Sequence, residues 1–199
     1  MELTRTGSSY RIEGIGVEPI PANAIIDKNI AVVEAVGESV KRAHSKSKIK
    51  SKNVAIAVAG SSVITKKITM PSILSEDEME GQIQLEADQY IPYPLEEVNL
   101  DFQILGETEN NPETVDVLLA ACRSENVDDR VAAVELAGLT AKIVDIEAYT
   151  METVFSAFAS HMPDEGMEKT IAIIDMGATM TSLSVIYNHQ LIYTREQNF

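Results

Sequence analysis

A short polar turn lies between two apolar runs near the C-terminal end of the sequence. The run 171–174 ends in Asp175, the small-residue stretch 176–179 follows, and a second apolar run, 183–186, comes soon after Thr181. A glycine lets the backbone approach a ligand closely, and successive N–H groups in such a turn can bind an anion. A carboxylate at the end of a strand can hold Mg²⁺ or its waters. The pattern predicts a phosphate and magnesium site, and a plain hairpin with a polar tip is the equal alternative.

The composition limits the classes of function. The chain has 199 residues, of which 45% are hydrophobic, so it can form one large domain or two small ones with an ordinary core. Its net charge of −15 argues against a surface built for nucleic acid. The three histidines have no metal-ligand spacing, and the single cysteine, Cys122, excludes an internal disulfide. Because Cys122 lies in an apolar run, a buried and inert thiol is predicted.

The sequence shows no sign of export or membrane insertion. Its longest apolar runs fall far short of the ~20 residues that span a bilayer. Its first fourteen residues are polar and lack the apolar region of a signal peptide. A soluble, cytoplasmic protein is therefore predicted.

The first 70 residues predict a strand, a helix and two further strands. Alternation of polar and apolar residues indicates a strand over 8–17. Apolar residues at helical spacing indicate a helix over 28–46, with basic residues in its last turn. The continuous apolar run 53–59 predicts a buried strand, and residues 60–62 turn the chain into a second strand over 63–70.

A helix begins after Ser75, which forms a capping box with Glu78. It is predicted to end near Ile91, because Pro92 and Pro94 cannot continue it. The residues that this helix would bury are Met79, Ile83, Ala87 and Tyr90.

The following segments alternate between strands and helices. Strands are predicted over 98–105, 115–122 and 141–146, and the polar residues 107–113 are predicted to form a loop. Ser124 or Asn126 would cap a helix that ends near Leu136, with Gly138 as its stop. A helix over 147–160 would bury Met151, Val154, Phe155 and Phe158. A hairpin that ends in a strand over 191–194 completes an α/β or α+β pattern.

A basic run, residues 41–52, stands out in this acidic chain. Such a run is usually a solvated helix end and loop. The alternative is a contact with anionic lipid or with an acidic partner.

Two stretches resemble known families. Residues 173–186, IIDMGATMTSLSVI, resemble the second phosphate loop of the actin-like ATPases, a group that includes actin and the cell-division protein FtsA. Residues 86–105, EADQYIPYPLEEVNLDFQIL, are similar to the signature of the PilM family of type IV pilus assembly proteins. Residues 10–30 and 193–199 are also similar to that family, so the resemblance covers essentially the whole chain.

The resemblance implies an actin-like, ribonuclease H-like fold that is incomplete. Residues 1–70 and 145–165 would form part of subdomain 1A, residues 71–144 an inserted SHS2-like subdomain 1C as in FtsA, and residues 168–199 the start of subdomain 2A. ATP and Mg²⁺ would lie between the two halves of the complete protein. The first phosphate loop is expected before the chain begins and the adenosine loop after it ends. The chain therefore resembles a fragment that is not expected to bind ATP.

The resemblance carries over to five residues of the polar turn. Asp175 would be the magnesium-side carboxylate, Gly177 the turn residue, and Thr179 and Thr181 hydroxyl contacts. Ala178 and Thr179 stand where the superfamily often has glycine, and the Cβ of Ala178 narrows the approach to phosphate. Ordinary β propensity explains the two threonines equally well. Asp145 and Glu147 could face the same cleft, but a helix N-cap and first-turn role is favoured for both.

The resemblance also implies a function. PilM-like proteins are cytoplasmic scaffolds at the inner membrane in pilus assembly and twitching motility, and they bind the N-terminal cytoplasmic segment of PilN in a groove between 1A and 1C. Tyr90, Pro92 and Tyr93 are candidates for the rim of that groove, although Tyr93 could simply close a helix end. Membrane contact would be indirect, a homo-oligomer is an open alternative, and no catalytic residue is assigned. An ATP hydrolase or a polymerising, FtsA-like division protein are the competing functions.

Overall fold

The computed structural model describes residues 1–7 and 9–198, so Ser8 of the predicted strand 8–17 and Phe199 of the stretch 193–199 lie outside the described residues. Its mixed α/β composition confirms the predicted fold class. The helices α1 to α4 are Val33–Ser47, Glu76–Glu86, Ser124–Leu136 and Glu147–Ala159. The strands β1 to β12 are Glu2–Thr6, Ser9–Gly14, Ile25–Ile26, Asn29–Ile30, Asn53–Val58, Val63–Pro71, Val98–Thr108, Asn111–Arg123, Thr140–Ile146, Thr170–Met176, Met180–Tyr187 and Gln190–Asn198.

The chain divides into two compact units, one of residues 61–127 and one of residues 1–60 together with 128–199. In the first unit, β8 lies between β6 and β7 in a three-stranded antiparallel sheet. Helix α2 begins with the predicted capping box: Glu78 N donates to Ser75 Oγ at 3.4 Å, and Ser75 N donates to Glu78 Oε2 at 2.9 Å.

The core of residues 61–127 forms where α2 covers the sheet. Met79 and Ile83 of α2 pack with Met70, Val117 and Leu119 of the strands, and all five are almost fully buried. The predicted helix end near Ile91 is wrong, because α2 ends at Glu86 and passes into a 3-10 turn over Ala87–Gln89. The predicted burial still holds, since Ala87 is fully buried and Tyr90 is half-buried. The predicted burial of Cys122 is also confirmed.

The predicted loop over 107–113 is wrong. Strand β7 continues to Thr108 and β8 begins at Asn111, so only Glu109 and Asn110 connect them. Asn110 has a φ of 64°, in the left-handed region that asparagine tolerates better than most residues. The polar composition of this segment therefore reflects two exposed strand ends and a tight turn.

In the second unit, β5 and β9 form a parallel pair that runs from Asn53 opposite Thr140 to Val58 opposite Ile146. Helices α1 and α3 approach closely at Gly37, where a Cβ would lie 3.0 Å from Ala133 O. Three small clusters of buried residues form the apolar interior of this unit: Ala24, Val36 and Ala133; Val134, Ala137 and Leu139; and Phe155, Ala159 and Ile186.

The N-terminal part departs from prediction in two places. Strand β1 was not predicted, because its residues are mostly polar, yet it pairs with β2 as an antiparallel hairpin. The predicted helix 28–46 begins at Val33 instead, because Asp27 and Lys28 have φ values of 48° and 64° and form the turn between β3 and β4. That helix ends at Ser47 and is followed by Lys48, whose φ of 60° makes it a left-handed cap.

Helix α4 packs on one face of the antiparallel sheet β10–β11–β12. Its position agrees with the predicted helix 147–160, but its buried face was predicted only in part. Phe155 is buried, whereas Val154 and Phe158 are 50% and 64% exposed. The helix buries the i, i+4 pair Phe155 and Ala159, so Val154 and Phe158 turn away from the sheet.

Candidate functional site

The predicted phosphate turn is the tight connection between β10 and β11. Gly177 N donates to Met180 O at 2.9 Å and closes the hairpin. A Cβ on Gly177 would lie 3.0 Å from that same carbonyl oxygen. Glycine is therefore suited to this position by the close approach of the two strands, and its N–H is already engaged within the hairpin. Ala178 and Thr179 form the exposed tip.

The strand register separates two of the predicted site residues. Asp175 is opposite Ser182, and Met176 is opposite Thr181. Side chains alternate between the two faces of a strand, so Asp175 and Ser182 share the face that carries α4, while Thr181 lies on the other face. The structure thus brings Asp175 next to Ser182, a residue that the sequence did not indicate.

A lysine that the sequence did not indicate lies on this same face of the sheet. Lys28 Nζ donates to Glu147 Oε2 at 2.7 Å, to Glu196 Oε1 at 3.0 Å and to Ser182 Oγ at 3.2 Å. We call these four residues the Lys28 cluster. It joins the β3–β4 turn to the start of α4 and to strands β11 and β12.

The charge of Lys28 is stabilised by its neighbours. Partial burial lowers the pKa of Lys28, but hydrogen bonds and charge interactions with Glu147 and Glu196 outweigh that effect and raise the pKa above its usual value of 10.5. Glu147 is also the first residue of α4, where a carboxylate interacts favourably with the helix dipole. The predicted first-turn role of Glu147 is therefore accompanied by an ion pair.

The backbone of Lys28 is held from another side. Arg130 Nη2 donates to Lys28 O at 2.6 Å, and Arg130 Nε donates to Ala57 O at 3.0 Å. The left-handed Lys28 turn is thus fixed through both its side chain and its carbonyl.

The predicted capping role of Asp145 is wrong, because Ile146 is the N-cap of α4 and Asp145 Oδ1 accepts from Ile146 N at 2.7 Å.

Asp175 is the one residue to which a magnesium role was carried over. Within residues 1–7 and 9–198, no group of three or more histidine, cysteine, aspartate or glutamate side chains could hold a metal ion. Magnesium in nucleotide sites is often held by one or two carboxylates together with phosphate oxygens and waters. A single carboxylate at this position fits that pattern, with the nucleotide supplying further oxygen ligands.

The three candidate partner-binding residues have different surroundings. Tyr90 is half-buried against the sheet, with its hydroxyl oxygen 3.5 Å from Glu86 Oε2. Tyr93 is half-buried, and the guanidinium carbon of Arg123 lies 4.2 Å from the centre of its ring. Pro92 between them is exposed. Pro92 and the accessible part of Tyr93 are therefore available to a partner.

None of the helices in the described part of the chain is both long and apolar enough to cross a bilayer.

The fold and the candidate site together define a mixed α/β protein in which a tight strand–turn–strand connection forms the predicted phosphate turn. Residues 1–199 match the family model described as type IV pilus assembly protein PilM, and the chain belongs to that family. The family resemblance seen in the sequence is thereby confirmed.

Solved structures provide a second comparison. A chain of a PilM–PilN type IV pilus biogenesis complex is 25% identical, with a TM-score of 0.78 over 99% of this chain and 57% of that one. The cytoplasmic domain of EpsL, an inner membrane component of the type II secretion system of Vibrio cholerae, is 14% identical with a TM-score of 0.49, covering 83% of this chain and 56% of that one. A Bacteroides thetaiotaomicron protein with an actin-like ATPase fold is 13% identical with a TM-score of 0.39, covering 82% and 55%. This chain thus spans little more than half the length of each.

Proposed function

We propose that this protein is an adaptor in type IV pilus assembly that binds the cytoplasmic N-terminal segment of PilN at the periphery of the inner membrane. The observation that carries the proposal is the similarity, over 99% of this chain, to a chain of a PilM–PilN complex. The proposal keeps the predicted layout of 1A over 1–70 and 145–165, 1C over 71–144 and the start of 2A over 168–199.

Pro92 and Tyr93, next to Tyr90, are the proposed contacts for the peptide. Proline and tyrosine offer large contact surfaces that lose little conformational entropy on binding. Arg123 already stacks on the ring of Tyr93, so part of the ordering cost is met before a partner arrives. An extended peptide could then be held by its side chains in pockets or by backbone hydrogen bonds.

A fluorescence anisotropy titration with a labelled PilN N-terminal peptide tests this proposal. We expect saturable binding without nucleotide and no binding of a scrambled peptide. Tyr93→Ala should weaken binding about tenfold, the scale of one lost aromatic contact, while Tyr93→Phe retains it. Tyr187→Ala, which removes an exposed tyrosine from β11, serves as the control. No binding of the native peptide would refute the adaptor role, and unchanged binding by Tyr93→Ala would exclude this surface.

The nucleotide role of Asp175, Gly177, Ala178, Thr179 and Thr181 is proposed for the complete protein. Because the Gly177 N–H is engaged within its own hairpin, we expect no tight binding of magnesium-ATP by the 199-residue chain. Isothermal titration calorimetry measures this directly. Micromolar affinity that Asp175→Asn abolishes would show that the 199-residue chain already contains a working site.

A further inference from the structure

The loop that follows β2 projects two aliphatic side chains into solvent. Ile15 is 61% exposed and Val17 is 78% exposed, whereas Gly16 and Glu18 are half-buried. This alternation directs residues 16 and 18 towards the protein and residues 15 and 17 away from it. Single exposed aliphatic residues are common, so the meaning of this pair depends on the surface beside it.

That surface is the C-terminal half of α1. A Cβ on Gly16 would lie 2.0 Å from Ala43 O, so the loop backbone packs directly on the helix. Glu18 forms ion pairs with Arg42, at 2.7 Å, and with Lys46. Because residues 16 and 18 are fixed on α1, Ile15 and Val17 border the basic end of this helix.

The basic surface continues beyond the helix. Lys48, Lys50 and Lys52 are exposed, and none of them forms an ion pair with another described residue. The segment stays next to the loop, since a Cβ on Gly14 would lie 2.9 Å from Ile49 Cγ1. The sequence contains no acidic residue from 39 to 52. The basic–aliphatic patch consists of Ile15, Val17, Arg42, Lys46, Lys48, Lys50 and Lys52.

We propose that the basic–aliphatic patch binds directly to a bilayer that contains anionic phospholipids. Lysine and arginine are attracted to such a surface, and aliphatic side chains can enter the boundary between headgroups and acyl chains. A fluid lipid interface can accept two separately projecting side chains without matching pockets. The surface of an acidic protein would have to provide such pockets, so a bilayer suits this patch better. This contact is independent of PilN and differs from the prediction that membrane contact is only indirect.

The acidic remainder of the chain does not prevent this contact. The net charge of −15 repels an anionic surface at a distance. Exposed charges are screened beyond about 8 Å at physiological ionic strength, so the patch experiences mainly the lipid that it touches. Binding should therefore depend on the local cations and weaken as salt is added.

Vesicle co-sedimentation of the 199-residue protein tests the proposal. We expect binding to phosphatidylcholine vesicles that contain phosphatidylglycerol, none to phosphatidylcholine alone, and loss of binding at high salt. Lys50→Glu with Lys52→Glu should weaken binding at least about tenfold, because two attractive charges become repulsive. Lys66→Glu with Lys169→Glu makes the same change in net charge outside the patch and should leave binding within about twofold of wild type.

A second pair of variants distinguishes a bilayer from an acidic protein surface. Ile15→Ser with Val17→Ser keeps every charge and should also weaken vesicle binding several-fold. Circular dichroism and the melting temperature verify that each variant is folded. The proposal is overturned if anionic vesicles do not bind, or if the control pair weakens binding as much as Lys50→Glu with Lys52→Glu. It is equally overturned if the serine pair binds vesicles as tightly as wild type, because the two aliphatic side chains that distinguish a bilayer from an acidic protein surface would then contribute nothing.

Discussion

In the unit of residues 61–127, the side chains of Met79 and Ile83 pack against Val117 and Leu119 in one apolar core. A second cluster around Ala87 in the same unit shares neighbours with that core. Among the described residues of the unit 1–60 and 128–199, most of the buried apolar side chains fall into three small clusters, and Val58 and Ala59 are buried outside them. Segments distant in sequence are joined there by the Lys28 cluster and by the hydrogen bonds of Arg130.

This contrast shows two ways of fixing elements in place. Apolar packing tolerates changes of side chain as long as volume is retained, whereas a half-buried ion pair depends on every partner being present. The second way fixes particular positions, here the start of α4 and the ends of β11 and β12 that lie near Asp175.

The largest expected effect is the loss of apolar packing in residues 61–127. Ile83→Ala should lower the free energy of unfolding by about 2–4 kcal/mol, because it leaves a cavity in the core. Leu85→Ala on the same helix is the matched control: Leu85 is 87% exposed and its truncation should cost less than about 0.5 kcal/mol. Urea titration followed by circular dichroism measures both. Equal effects of the two variants would show that the core does not stabilise this unit as described.

A smaller loss is expected in the other unit when Lys28 loses its charge. Lys28→Met should lower the free energy of unfolding by about 1–3 kcal/mol, less than for a fully buried pair, because it leaves Glu147 and Glu196 without their ammonium partner. Lys28→Gly removes the same charge but suits the left-handed backbone, so it should be more stable than Lys28→Met by about 1 kcal/mol. The same urea titration compares them. If Lys28→Met unfolds at the wild-type urea concentration, the cluster contributes nothing to stability.

The pH dependence of the Lys28 cluster sharpens this test. The pKa of Lys28 is raised in the folded protein, so its stabilising contribution is complete below the usual value of 10.5 and is lost as the pH rises through the folded value. The difference in unfolding free energy between wild type and Lys28→Met should therefore be constant up to about pH 10 and shrink above it. A difference that does not change with alkaline pH would mean that the ammonium charge is not the stabilising feature.

The smallest effect concerns the start of α2. Ser75→Ala should cost about 1 kcal/mol, because the capping hydrogen bond from Glu78 N is lost. Ser61→Ala, at an exposed position in the same unit, should be nearly neutral. Thermal unfolding of the two variants in parallel measures the difference. A Ser75→Ala melting temperature equal to that of Ser61→Ala would exclude a stabilising role for the capping box.

Sequence reasoning predicted the features that depend on neighbouring residues. The capping box at Ser75 and the buried face of α2 follow from spacings of three and four residues. The Lys28 cluster could not be predicted in this way, because its partners are 119, 154 and 168 residues away from the lysine. The predicted helix 28–46 includes Lys28, because the apolar residues that follow it recur at helical spacing and this spacing carries no signal of a left-handed turn before Val33.

The candidate site was also predictable only in part: its local turn follows from the sequence, and its strand register does not. The hairpin that follows Asp175 follows from its small residues and the apolar runs on both sides. Thr181 and Asp175 lie on opposite faces because of the register between the two strands. Predicting that both segments are strands does not predict that register. The exposure of Val154 and Phe158 likewise depends on which stripe of α4 meets the sheet.

The wide spacing within the Lys28 cluster has a consequence during synthesis. Glu196 is translated 168 residues after Lys28, so at about 5–20 residues per second the growing chain spends roughly 10–30 s without this partner. Over that interval the ribosome-bound nascent chain presents an early turn whose ammonium group is still solvated. The hairpin that contains Glu196 then secures a turn that was made 168 residues earlier.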